Sequence, residues 1–218
     1  MDVLKYPCVI CGIREATTRD HVPPKTVFTK PLPTTLVTVP ACALCNNGSA
    51  DFDEKFRVYL GLVVGDKNAN AKKLWKERSM ATLRKNKKLA ETISKGMHEV
   101  DVLNEYGVRV GKKIAFLWPV DVFECVVERI ARGLYYHHFG EILGARVQCT
   151  VGFMYTLSDD IMESTKDLTQ SHIGDGAFTY RYGRAAESPL HSVWVFEFYQ
   201  GHWASVVTSP INASAVLA

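Results

Sequence analysis

Four cysteines stand in two CxxC pairs, Cys8/Cys11 and Cys42/Cys45. An Asp20-His21 dipeptide lies between the pairs, and Asn46 follows the second directly. A CxxC turn offers two thiolates at metal-binding separation, with backbone amides that stabilise the sulfurs, and two such turns complete a tetrahedral sphere. Four cysteine ligands leave no open position, so the pattern predicts a structural Zn²⁺ rather than a catalytic one. The competing use of paired CxxC motifs, a redox dithiol, needs a thioredoxin-like βαβ setting that neither pair has. A closed zinc site leaves Asp20 and His21 unexplained. Elsewhere an Asp-His pair reads as a loop cap and a hydrogen-bonded turn; here it sits inside a metal staple, as a hydrolytic site would.

The elements that must hold these residues follow from pattern. Ala16 to His21 and Leu36 to Val39 are short β-prone runs, and Pro23, Pro24, Pro31 and Pro33 exclude regular structure between them. Asp51 to Leu62, with Phe52, Phe56, Tyr59 and Leu60 at three- and four-residue intervals, predicts an amphipathic helix. The helix is expected to continue through the following basic segment, with Met80, Leu83, Ala90, Ile93 and Met97 as its apolar stripe. Val100 to Leu103 and Val108 to Phe116 flank a turn on Asn104 to Gly107 and predict a hairpin. Pro119 suits the first turn of a helix carrying Phe123, Val126, Val127, Ile130, Leu134 and His138 inward. Strands are expected over Val147 to Thr156, Ala177 to Arg184, Ser192 to Tyr199 and His202 to Thr208, the last two joined through Gln200-Gly201. Ile211 to Ala218 is expected to fray. The fold class is thus α+β in three parts. A zinc-stapled unit spans 1–62, a basic helix and hairpin spans 63–112, and an α+β unit with an antiparallel sheet spans 113–218.

The whole string, CxxC, then RDHVPP, then CxxCNN, resembles the HNH endonuclease family over about residues 8–56, roughly a quarter of the chain. That resemblance implies a ββα-metal or treble-clef fold and metal-dependent hydrolysis of phosphodiester bonds, leaving a 5′ phosphate and a 3′ hydroxyl. Carried over by position, it makes His21 the general base that activates water, with Asp20 and Asn46 holding a divalent Mg²⁺ or Mn²⁺. The chemistry agrees: an imidazole near neutral pKa accepts a proton from water, and hard oxygen donors suit those ions. One departure stands out. The family's middle Asn falls on Val37 here, and the nearest polar residues are Thr34 and Thr35. Asp51, Asp53 and Glu54 offer replacement ligands, although acids there also favour a helix start.

Charge points to the partner. The chain carries a net charge of +3, yet Lys67 to Lys95 holds ten basic residues against two acidic ones, +8, which leaves −5 elsewhere. Such concentration attracts polyanions through counterion release, and a solvated helix face is the alternative. Arg19, Lys25 and Lys30 near the dipeptide, with Lys72, Lys73, Lys76, Arg84 and Lys87 on the basic segment, are the expected phosphate contacts to nucleic acid, DNA first.

A zinc-stabilised module that binds nucleic acid or protein without chemistry is the competing reading. In a third, the α+β part is the functional centre. The unit over 113–218 is assigned substrate selection, self-association into a homo-oligomer, or regulation. Within it, Arg132, Tyr135, Tyr136, His137 and His138 read as packing rather than a second active site. Trp194, Phe196, Phe198, Tyr199 and Trp203 read mostly as core, as do Cys125 and Cys149. No membrane span or secretory signal is apparent, so the cytoplasm is the expected compartment.

Overall fold

In a computed structural model, residues 6–154 and 156–211 are described, so most of the segment expected to fray lies outside them. The architecture is mixed helix and sheet, and every sheet is antiparallel. β1 (Thr18–Val22) pairs with β2 (Val37–Ala41), with Asp20 opposite Val39 and His21 opposite Thr38. The proline-rich connection forms only a single 3₁₀ turn, Lys25–Val27. A short helix α1 (Ala43–Asn47) and a longer one, α2 (Ala50–Val64), follow, and Phe56, Tyr59 and Leu60 of α2 are buried as its spacing requires.

The basic segment departs from the expected continuous helix. It is divided into α3 (Ala69–Lys73), a π-helical turn (Leu74–Ser79), α4 (Met80–Lys85) and α5 (Lys87–Gly96). Asn86 leaves the helical region at φ −95° and ψ 81°, and its side chain accepts the Leu89 N–H. It therefore caps α5, as a short amide side chain does best. Leu89 and Ile93 then pack on Val58 and Tyr59 of α2.

The hairpin β3 (His98–Leu103) and β4 (Arg109–Ala115) forms as expected. Asn104 Oδ1 accepts the Tyr106 and Val108 N–H groups across its turn.

α6 (Val120–Phe139) starts behind Pro119 and buries Phe123, Val126, Val127, Ile130 and Leu134 of the predicted stripe, with His138 half-buried. The remaining strands, β5 (Val147–Met154), β6 (Thr169–Ile173), β7 (Phe178–Arg184), β8 (Ser192–Phe198) and β9 (His202–Pro210), form one sheet in the order β5-β9-β8-β7-β6. Helix α7 (Asp159–Ser164) and β6 were not anticipated. α7 is short, and the TQSHI run of β6 is a polar edge strand without apolar alternation. The β8–β9 turn places Tyr199 and Gln200, rather than Gln200-Gly201, at positive φ (54° and 57°). Tyr199 is held there because its hydroxyl donates to the Val27 carbonyl at 2.6 Å while Asn68 Nδ2 donates to its own carbonyl at 2.9 Å.

α6 is the central element. One side packs on the sheet, where His138 Nε2 meets the Tyr180 hydroxyl at 2.9 Å and the imidazole stacks on Tyr182 with centroids 4.0 Å apart. The other side receives β1: a Cβ on Gly133 would lie 2.4 Å from Val22 Cγ2, so only glycine admits the strand this closely. Buried residues from Cys8 to Val206 join in one core that includes Val64, Ala71 and Leu74. Packing therefore ignores the boundaries drawn at 62 and 112. The parts that differ in composition share this interior, and Leu89 and Ile93 of the basic segment form a second, smaller cluster with Val58 and Tyr59.

Candidate functional site

The cysteines converge. The sulfurs of Cys8, Cys11, Cys42 and Cys45 lie within 4.8 Å of one another, and this four-cysteine cluster could hold a metal ion such as zinc. Local folding explains the convergence. The N-terminal loop is pinned to β2 by the Val9 N–H on the Pro40 carbonyl at 2.9 Å, and Cys42 caps α1, its sulfur accepting the Cys45 N–H at 3.4 Å. Burial opposes thiolate formation at Cys11. The backbone N–H groups of Arg14 and Ile13 and the neighbouring thiols outweigh it and bring the pKa down to about 6. The Arg14 guanidinium adds positive charge beside Cys42. Thiolates are thus favoured at Cys11 and Cys42, while burial pushes the Cys8 and Cys45 thiols up.

Asp20 and His21, adjacent in sequence, project to opposite faces of β1, because side chains alternate along a strand. Asp20 is buried and faces α6. Its Oδ2 accepts from Arg129 Nη2 at 2.7 Å, and its Oδ1 accepts the His21 N–H at 2.8 Å. The same guanidinium donates through Nη1 to Asp53 Oδ1 at 2.6 Å. Arg129 therefore bridges the two carboxylates. Burial raises the Asp53 pKa, and Arg129 opposes the rise; burial in turn disfavours the charge on Arg129, and the two acids more than restore it.

His21 lies half-buried on the opposite face, in register with Thr38. Burial, then the nearby Lys25, lowers its pKa below 6.5 against the pull of Asp20, so the ring is neutral at neutral pH. Arg19 shares that face. Its guanidinium donates to the Thr38 hydroxyl at 2.9 and 3.1 Å and to the Thr38 carbonyl at 3.1 Å. Thr34 and Thr35 occupy the turn before β2 and Val37 pairs with Val22, so the hydroxyl placed across from His21 is that of Thr38.

Asn46 reaches back to β1, its Nδ2 donating to the Thr18 hydroxyl and to the Arg19 carbonyl, each at 3.1 Å. It ties α1 to the strand that carries the dipeptide. Asp51 pairs with Lys55 at 2.6 Å and Glu54 with Arg57 at 3.8 Å, leaving Asp53 as the acid that joins Asp20.

Among the expected phosphate contacts, Arg19, Lys25, Lys30, Lys72, Lys76, Arg84 and Lys87 are exposed. Lys73 is different: its ammonium donates to the Lys30 carbonyl at 2.8 Å and anchors the proline loop. Arg78 does likewise on the Phe28 carbonyl at 3.1 Å. In the C-terminal part, Arg132 binds the Leu143 and Val147 carbonyls at 2.7 and 3.0 Å, a packing role that the half-buried His138 shares. Trp194, Phe196, Phe198 and Tyr199 are core, while Trp203 lies on the other sheet face. Cys125 and Cys149 are half-buried, with burial raising both thiol pKa values, that of Cys149 to about 11.

Arg129 and Thr38 are the site residues that the sequence did not disclose. Thr38 follows from the hairpin register. For Arg129, 109 positions from Asp20, no local signal exists. No helix of the described residues is long and apolar enough to cross a membrane. Comparison with protein-family models, with curated proteins and with solved structures returns no match.

Proposed function

We propose that this chain is an HNH-type endonuclease of the ββα-metal, treble-clef kind, hydrolysing phosphodiester bonds, in the first place those of DNA. The observation that carries this reading is His21, a half-exposed imidazole in its free-base form, set beside Arg19 and Lys25 on the outward face of β1. A neutral imidazole accepts the proton of an attacking water, and flanking cations hold the phosphate it attacks. The strand carrying the base is tethered twice, by Asp20 on Arg129 of α6 and by Asn46 on Thr18 and Arg19. The exposed Lys72, Lys76, Arg84 and Lys87 extend the contact along the backbone.

Zinc fits the four sulfurs, where it would stabilise the fold. The Mg²⁺ or Mn²⁺ implied by the family resemblance does not fit Asp20 and Asn46 as ligands. The acid is already neutralised by Arg129, and the amide is engaged as a donor to β1. Both residues act here as positioning residues.

The test is plasmid cleavage by the full chain with Mg²⁺, with Mn²⁺ and with EDTA, beside His21→Ala. Cleavage under at least one condition that His21→Ala loses supports the assignment. Equal cleavage by both proteins removes it.

The Arg129 bridge specifically favours one other reading, a zinc-stapled nucleic-acid-binding module without chemistry. Salt-sensitive DNA binding with no turnover under any of the three conditions would select it.

A further inference from the structure

A second constellation lies on the sheet face turned away from α6. Register puts Thr179, Glu197 and Trp203 in one row across β7, β8 and β9, with Gln170, Arg181 and Val195 in the next. An outward valine on such a face is normally wet, and Val193 and Val207 are 37% and 45% exposed. Val195 is only 5% exposed. Leu157 and Met162, from the segment around α7, line with Val195, Glu197, Arg181 and Trp203 an open-sided pocket of about 420 Å³.

We infer that this pocket binds a guanine base. Its walls, the Trp203 indole with Val195, Leu157 and Met162, suit a flat, weakly polar body that stacks. Its polar groups are incompletely used. The Glu197 carboxylate accepts no hydrogen bond among the described residues, and burial raises its pKa against the pull of Arg181, as for a carboxylate lacking donors. Arg181 spends Nε and Nη1 on long contacts to Gln170 Oε1 (3.3 Å) and Thr165 Oγ1 (3.5 Å), and its Nη2 has no partner among the described residues. The pocket thus presents a two-oxygen acceptor beside a free donor.

Guanine is the complement. Its N1–H and N2–H groups offer two parallel donors to a carboxylate, and O6 and N7 on the neighbouring edge accept from a guanidinium. Adenine sets its N1 lone pair beside the N6 donor, so one carboxylate oxygen would face an acceptor. α6 covers the opposite sheet face and carries β1 on its far side, so this pocket and His21 are separated by the sheet and the helix. Base binding here is independent of cleavage at His21.

Calorimetric titration of the full chain tests this with four probes: GMP, AMP, a nonamer of thymines with one central guanine, and an all-thymine nonamer. GMP or the guanine-bearing nonamer should bind at least about tenfold tighter than its guanine-free counterpart, the discrimination of one bidentate contact. Preference for GMP identifies a free nucleotide as the source, and preference for the nonamer identifies a strand; either supports the pocket. Glu197→Gln should weaken guanine binding by about tenfold, because one acceptor oxygen becomes a donor. Equal binding of GMP and AMP together with equal binding of the two nonamers, no binding of any probe, or undiminished binding by Glu197→Gln would overturn the inference. Should that variant fail to fold, the base preference of the unsubstituted chain still decides.

Discussion

Arg129 sets the electrostatics of the interior beneath β1. Its guanidinium is buried and neutralises two acids from different elements. Arg129→Met should therefore destabilise the chain by about 3–5 kcal/mol in urea or guanidinium unfolding, because two buried carboxylates lose their counter-charge. Adding Asp20→Asn and Asp53→Asn to that variant should recover most of the loss. His202 makes a different prediction. It is 1% exposed, its Nε2 has no hydrogen-bond partner, it stacks on Trp118 at 4.8 Å, and burial lowers its pKa to about 4. The unfolded chain protonates this residue near pH 6.5 and the folded one near 4. Stability present above 6.5 is therefore lost as pH falls between those values, by up to about 3 kcal/mol. Thermal melts from pH 7 to 4 should show the decline, and His202→Phe should remove part of it without loss at neutral pH, leaving the share of His138, whose pKa burial likewise lowers to about 4. At this scale the sequence disclosed residues that act through local spacing, the cysteines above all. It was silent on Arg129, whose partners are defined only by packing.

Among the elements, contact between α6 and β1 depends on a missing side chain. Gly133→Ala would put a methyl carbon into Val22 and force β1 outward, which should cost about 2 kcal/mol or more. Val22→Ala in the same chain should relieve part of it, a coupling that a double-mutant cycle measures. Asn86→Ala removes the cap that restarts the helix at Lys87 and should cost about 1 kcal/mol in the same unfolding assay. The apolar periods of α2 and α6 and the turn residues of the β3–β4 hairpin were legible because they repeat locally. The break at Asn86 was not, since apolar spacing on both sides continues the same stripe. β6 was not either, since an edge strand obtains its structure from Tyr180 and Tyr182 across the ladder.

The molecule as a whole shares one core between the cysteine hairpin and the five-stranded sheet, and unfolding should follow suit. Intrinsic fluorescence and far-UV circular dichroism should give coincident thermal transitions. A strong chelator should lower both together as it removes one metal equivalent per chain. Two separated transitions would show that the hairpin melts independently. What the sequence by itself determined was whatever depends on neighbours along the chain: the two CxxC turns, the helix stripes, and the glycine and proline punctuation. What only the tertiary structure decided was the fate of Asp20 and His21. A strand turns successive side chains to opposite faces, and only the docking of α6 reveals which face is dry. One residue of that pair became one of the two carboxylates that Arg129 bridges, and the other was left half-buried on the outer face.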